Sequence, residues 1–128
     1  MSVNPSFNYL GRVSYATALS LQERRRGEIL AFESDPVVTM GVRAGAEDLK
    51  RPESFLRAQG FDLLRVDRGG QATLHAPGQL VIFPALDVSS WGAARAWIGH
   101  LVGVTQACAR ELGQEFAVEA GGAWPLFR

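Results

Sequence analysis

The chain has 128 residues, 47% hydrophobic and 20% charged, with 13 basic against 13 acidic side chains. This describes one ordinary soluble domain, and a formal charge of zero excludes a general polyanion or membrane-surface binder unless a local patch supplies the field. Arg24, Arg25 and Arg26 form the single basic run, too short for such a patch. No apolar run approaches the ~18 residues of a membrane span, and the opening MSVNPSFNYLG has no basic-then-apolar signal pattern. The expected location is the cytoplasm, with neither nucleic acid nor membrane as partner. There is one cysteine, Cys108, and one lysine, Lys50, against twelve arginines. A lone cysteine excludes an internal disulfide and a cysteine zinc cage. His75 and His100 lack ligand spacing to each other or to a carboxylate pair, so neither a metal nor a cofactor is expected.

In chain order, Ser14 is the expected N-cap of a helix over Tyr15–Arg26, with Ala16, Leu19 and Glu23 on one face and Gly27 closing the end. Strands are expected at Glu28–Glu33 and, past the Asp35–Pro36 turn signal, at Val37–Met40. Pro52 opens a short helix in which Phe55 and Leu56 face inward and Gly60 is the stop. Two more strands follow, Asp62–Val66 and the apolar run LVIFPAL at Leu80–Leu86. Such a run predicts burial on both faces, with Pro84 demanding a bulge or edge position. The longest helix is expected from Trp91 to Leu112, its Trp97, Leu101, Val104 and Cys108 forming one buried stripe and Gly113 standing at C′. A last short strand, Phe116–Glu119, leads to a tail in which Trp124, Leu126 and Phe127 have nothing after them to pack on. Helices and strands without a strict βαβ rhythm or a glycine fingerprint favour an α+β fold, a mixed sheet with packed helices, and residues 1–128 are taken as one unit.

The segment DRGGQATLHAPGQL, Asp67 to Leu80, concentrates the chemistry. Gly69 and Gly70 permit backbone angles and close approach that let N–H groups wrap a ligand. If Gln71–His75 is extended, Gln71, Thr73 and His75 make a polar wall while Ala72 and Leu74 point to the core. On composition alone a plain surface hairpin stands equally open.

The combination Arg-Gly-Gly, alternating Thr and His, Pro-Gly-Gln and an apolar strand resembles the lipoyl/octanoyl transferase family, usually called LipB, which shares the biotin/lipoate protein ligase-like fold. The resemblance starts near LGRVSYATALSLQERRR, continues through DPVVTMGVRAG, is strongest at RGGQATLHAPGQLVIFPALDV, includes the ELG helix end, and fades at GGAWP. It implies octanoyl transfer from acyl carrier protein, through a cysteine thioester, to a lysine of lipoyl domains on 2-oxoacid dehydrogenases or glycine-cleavage H protein. Arg68, Gly69, Gly70, Gln71, Ala72, Thr73, Leu74 and His75 match the family's acyl-binding segment. His75 is either a proton-transfer group near the thioester or a structural histidine bonded to its own loop.

The family's nucleophilic cysteine and its companion lysine lie beyond the Gly-x-Trp-like stretch, and this chain ends four residues after Trp124. The expectation is therefore a C-terminally truncated, partial octanoyltransferase-like catalytic domain, inactive alone and assigned no catalytic residue. Cys108 is expected in the core and Lys50 in solvent. The second reading is a non-catalytic acyl- or lipoyl-domain-binding module. An amide ligase would need a phosphate-binding lysine after the glycine segment, and none follows Lys50. Ala76 departs from the family's glycine before Pro-Gly-Gln, which raises the question of whether that turn needs a positive φ.

Overall fold

In the computed structural model, which describes residues 4–87, 89, 91–115, 118–119 and 126–127, the backbone falls into two units, Met1–Asp87 and Val88–Arg128. In the first, β1 (Ser6–Val13) runs parallel to β2 (Glu28–Ser34) and is joined to it by α1 (Tyr15–Arg24). Strand β3 (Val37–Met40) runs parallel to β4 (Asp62–Arg65), joined by a 3-10 turn at Ala46–Asp48 and by α2 (Glu53–Ala58). Strand β5 (Ala72–His75) adds antiparallel to β3, and β6 (Leu80–Pro84) antiparallel to β2. Two mixed three-stranded sheets result, ordered β1-β2-β6 and β4-β3-β5, the expected α+β class.

The two central strands flank Asp35–Pro36. Leu30, Ala31 and Phe32 of β2 and all four residues of β3 are buried, because each strand has a neighbour on both edges. One core joins Tyr15, Ala18, Phe32 and Val37 with Leu64, Val66, Val81 and Phe83; a second gathers Val38, Met40 and Ala44 beneath Leu49, Leu56 and Leu63. The faces of β3 thus belong to different cores.

Several expectations change. No strand is expected over residues 6–13, yet β1 pairs there with a register shift between Tyr9 and Arg12, where Gly11 takes φ +70°. Helix α1 is capped as expected, Ser14 Oγ accepting from Thr17 N–H at 3.1 Å, but it ends at Arg24 and buries Tyr15 and Ala18 while Ala16 and Glu23 face solvent. Tyr15 sets that orientation by packing edge-on against Phe32 and Phe83. Pro52 is the N-cap of α2, and Phe55 is exposed with Arg51 5.5 Å from its ring, leaving Leu56 to reach the core. Strand β6 stops at Pro84 and buries one face only: Val81 and Phe83 pack inward while Leu80 and Ile82 are exposed. Pro84 ends an edge strand, a position that tolerates its missing N–H.

In the second unit α3 (Trp91–Glu111) ends in a Schellman closure. Gly113, at φ +73°, donates to Arg110 C=O at 2.9 Å and Gln114 to Ala109 C=O at 2.8 Å. Three members of the expected buried stripe are in solvent, Leu101 at 36% and Val104 at 47% exposed with Cys108 exposed too, and Trp97 is half-buried. Helical spacing aligns these side chains, but only a packing partner buries them. Of the expected last strand, Val118–Glu119 form β7, and Phe116 and Ala117 lie outside the described residues. It pairs antiparallel with β8 (Leu126–Phe127), so two members of the supposedly unpartnered tail are in a ladder; Trp124 lies outside the described residues.

Candidate functional site

Between β4 and β5, residues 67–71 form a tight loop laid against the turn that follows β3. Three backbone bonds pin it: Gly41 N–H to Gln71 C=O at 3.1 Å, Val42 N–H to Arg68 C=O at 2.9 Å, and Arg43 N–H to Gly70 C=O at 3.3 Å. Gly70 sits at φ +91°, a region that favours glycine. At Gly41 the reason is space, because a Cβ there would overlap the Gly70 carbonyl oxygen. Sequence reasoning gave Gly41 no role; its only signal was its place in the resembling stretch DPVVTMGVRAG.

Arg68 braces this loop from inside. One terminal guanidinium nitrogen lies 3.0 Å from Thr39 O, 2.8 Å from Thr39 Oγ1, 3.0 Å from Gln71 O and 2.9 Å from Thr73 Oγ1, and the other 3.0 Å from Gly69 O. Thr39 is wholly buried, and its hydroxyl accepts from the guanidinium while donating to Thr73 C=O at 3.4 Å, so both of its roles are met away from water. With the carbonyls of Arg68, Gly69, Gly70 and Gln71 engaged, the N–H groups of Gly69 and Gly70 have no acceptor among the described residues. The loop offers donors and withholds its cation.

Along β5 the side chains alternate as an extended segment requires. Ala72 joins the second core, whereas Leu74, expected to point inward, is 51% exposed. Thr73 turns to Arg68. His75, half-buried, stacks on Tyr15 with ring centroids 5.0 Å apart and planes at 26°, and its Nδ1 lies 2.6 Å from Gln79 Oε1. Burial pushes the Tyr15 phenol above its ordinary range, and the charge of Arg68 draws it partly back. Tyr15 is a second residue that sequence reasoning left out. Ala76 needs no special angle: Gly78, at φ +91°, takes the turn, and no described non-glycine residue has positive φ.

A cavity of about 290 Å³ opens beside the loop between Met40, Gly41, Val42, Arg65, Val66 and Asp67, near the lower end of ligand-pocket sizes, roughly 300–1,000 Å³. A larger one, about 620 Å³, lies at the C-terminal end of α1 between Gln22, Arg26, Ala85 and Asp87 and shares no residue with the loop. The smaller is the relevant one, since it adjoins the polar groups. Lys50 is exposed ahead of α2, and Cys108 is exposed on α3, correcting its expected burial. Among the described residues no group of three His, Cys, Asp or Glu side chains is placed to hold a metal ion, and no helix is long and apolar enough to cross a membrane.

The chain is similar to several known proteins. The octanoyltransferase of Chloroflexus aurantiacus is 37% identical over 95 residues, covering 67% of this chain and 43% of that protein. That of Koribacter versatilis is 41% identical over 90 residues, covering 63% and 36%. That of Solibacter usitatus is 34% identical over 127 residues, covering 92% and 56%. The chain thus spans about half the length of the curated relatives it matches. A solved structure described as a candidate lipoate protein ligase from T. acidophilum superposes with a TM-score of 0.68 over 94% of this chain and 53% of that one, at 17% identity, and so shares the fold. The family model of the lipoyl protein ligase A/B catalytic domain matches residues 12–122, a span that contains the braced glycine loop, His75 and Tyr15, and the chain belongs to that family.

Proposed function

We propose that this chain is the acyl-cradling part of an octanoyltransferase of lipoate biosynthesis, with residues 1–128 acting as one partial catalytic domain in the cytoplasm. The donor is octanoyl-acyl carrier protein. The acceptors are lysines of lipoyl domains on 2-oxoacid dehydrogenases and on glycine-cleavage H protein. The observation that carries the reading is the pinned loop Arg68–Gln71: its carbonyls are spent on Gly41, Val42, Arg43 and Arg68, and the N–H groups of Gly69 and Gly70 are left to meet an acyl carbonyl. The cavity beside Met40, Gly41, Val42 and Val66 offers apolar wall to an alkyl chain. Arg68, Gly69, Gly70, Gln71, Ala72, Thr73, Leu74 and His75 make the acyl site, within which Arg68 is the brace.

Residues 67–75 include neither a cysteine nor a lysine; the one cysteine of the 128 is on α3 and the one lysine ahead of α2. By themselves they bind the acyl group and do not transfer it. Titration with octanoyl-acyl carrier protein or octanoate tests the cradle: binding below millimolar that is lost in Gly70→Val supports it, and no binding below millimolar removes it. Measurable octanoyl transfer to a lipoyl domain by the isolated chain would overturn the inactive half of the proposal. The second reading, a non-catalytic acyl- or lipoyl-domain-binding module, rests on the same intact loop. It is favoured if the chain binds acyl ligand and remains inert after mixing with any polypeptide that supplies the family's cysteine and lysine.

A further inference from the structure

His75 is held from two sides by residues of separate elements. From one side comes Tyr15, the first residue of α1, itself 6% exposed and fixed edge-on by Phe32 at 6.1 Å and Phe83 at 5.5 Å, with the Ser14 cap immediately before it. A ring so enclosed cannot follow its neighbour, so stacking at 5.0 Å sets the plane of the imidazole rather than the reverse. From the other side comes Gln79 in the β5–β6 turn, whose N–H donates to Ala76 C=O at 3.2 Å and whose Oε1 meets His75 Nδ1 at 2.6 Å. A carboxamide oxygen only accepts, so with Oε1 turned to the ring the neutral imidazole carries its proton on Nδ1 and its lone pair on Nε2. Strand alternation puts His75 on the face of β5 that carries Thr73 and the Arg68 brace.

We propose that Tyr15 and Gln79 are positioning residues that hold His75 as the Nδ1–H tautomer in a fixed plane, so that Nε2 is the one ring atom able to accept a proton in the site. The inference rests on the reading of Arg68–His75 as the acyl site, but its test needs no acyl ligand. Long-range ¹H–¹⁵N spectra of the 128-residue chain, taken above about pH 8.5 where free imidazole is neutral, report the two ring nitrogens of His75 separately, with N-acetylhistidine in the same buffer as reference because His100 is itself stacked on Trp97. The wild type is expected to show a protonated Nδ1 and an unprotonated Nε2. In Gln79→Ala the tautomer ratio falls by roughly fivefold, the fold-change of one ordinary hydrogen bond, and Gln79→Glu, which keeps an acceptor, restores it. Tyr15→Leu moves the same signals toward those of N-acetylhistidine, whereas Tyr15→Phe, which keeps the ring, leaves them in place.

A wild-type His75 protonated on Nε2, or a ratio unchanged in Gln79→Ala, overturns the proposal. Gln79 is exposed, so its replacement leaves the core intact and decides the matter even if Tyr15→Leu fails to fold. Loss of octanoate binding with the tautomer as expected would instead overturn the acyl site and leave the positioning intact.

Discussion

Strand β3 and helix α3 both carry apolar residues at regular spacing and end in opposite surroundings. All four residues of VVTM are buried, whereas along α3 Ile98, Leu101 and Val104 stay exposed. The strand is hydrogen-bonded on both edges, by β4 and β5, and covered on both faces by two cores. Apolar spacing creates a face, and burial is decided by what meets it. The same contrast explains where the site stands: the glycine loop is pinned to the turn leaving β3, a strand buried on both faces and paired on both edges, and Arg68 reaches from the loop into β3 at Thr39.

Four changes would break or sharpen this contrast, and the largest effect is expected at β3 itself. Met40→Ala, at a residue 4% exposed, should cost about 2–5 kcal/mol, read as the shift in denaturant midpoint at constant slope; a cost below 1 kcal/mol would mean that β3 is not the centre of the packing. Gly41→Ala should cost about 1–3 kcal/mol through overlap with the Gly70 carbonyl, and octanoate binding should weaken with it because the loop must lift.

The third effect depends on pH. Folding raises the Tyr15 pKa by burial, so the unfolded chain releases the phenolic proton first. Stability is therefore full below about pH 10, the ordinary tyrosine value, and falls as pH rises toward the folded pKa. Tyr15→Phe should remove that part of the alkaline loss, and midpoints measured from pH 8 to 11 that decline identically in both proteins would contradict it. The smallest effect belongs to α3: Val104→Ala should change stability by less than about 0.5 kcal/mol, and a loss comparable to that at Met40 would show that this helix face has a partner.

Much of the site was legible because its constraints are local. The paired glycines, the Thr and His two residues apart, the Ser14 cap and the Gly113 closure each follow from the conformational needs of one or a few neighbouring residues. The start of β3 was likewise marked by the Asp35–Pro36 turn signal before it. What escaped depends on residues distant in sequence. Gly41 matters through Gly70, twenty-nine positions on; Tyr15 through His75, sixty on. Strand β1 was missed because its weak alternation becomes a strand only when β2 supplies the ladder.

By itself the amino-acid sequence determined the α+β class, the Ser14 cap and the Gly113 closure, the loop that carries the chemistry, and the absence of any cysteine or lysine within it. Those properties follow from backbone sterics and side-chain inventory, which travel with each residue. Only the tertiary structure decided that Arg68 faces inward as a brace, that Tyr15 backs His75, that Leu74 and Cys108 lie in solvent, and that β6 buries one face rather than two. Each of those outcomes is a choice between two sides of an element, and that choice is made by the partner across the gap.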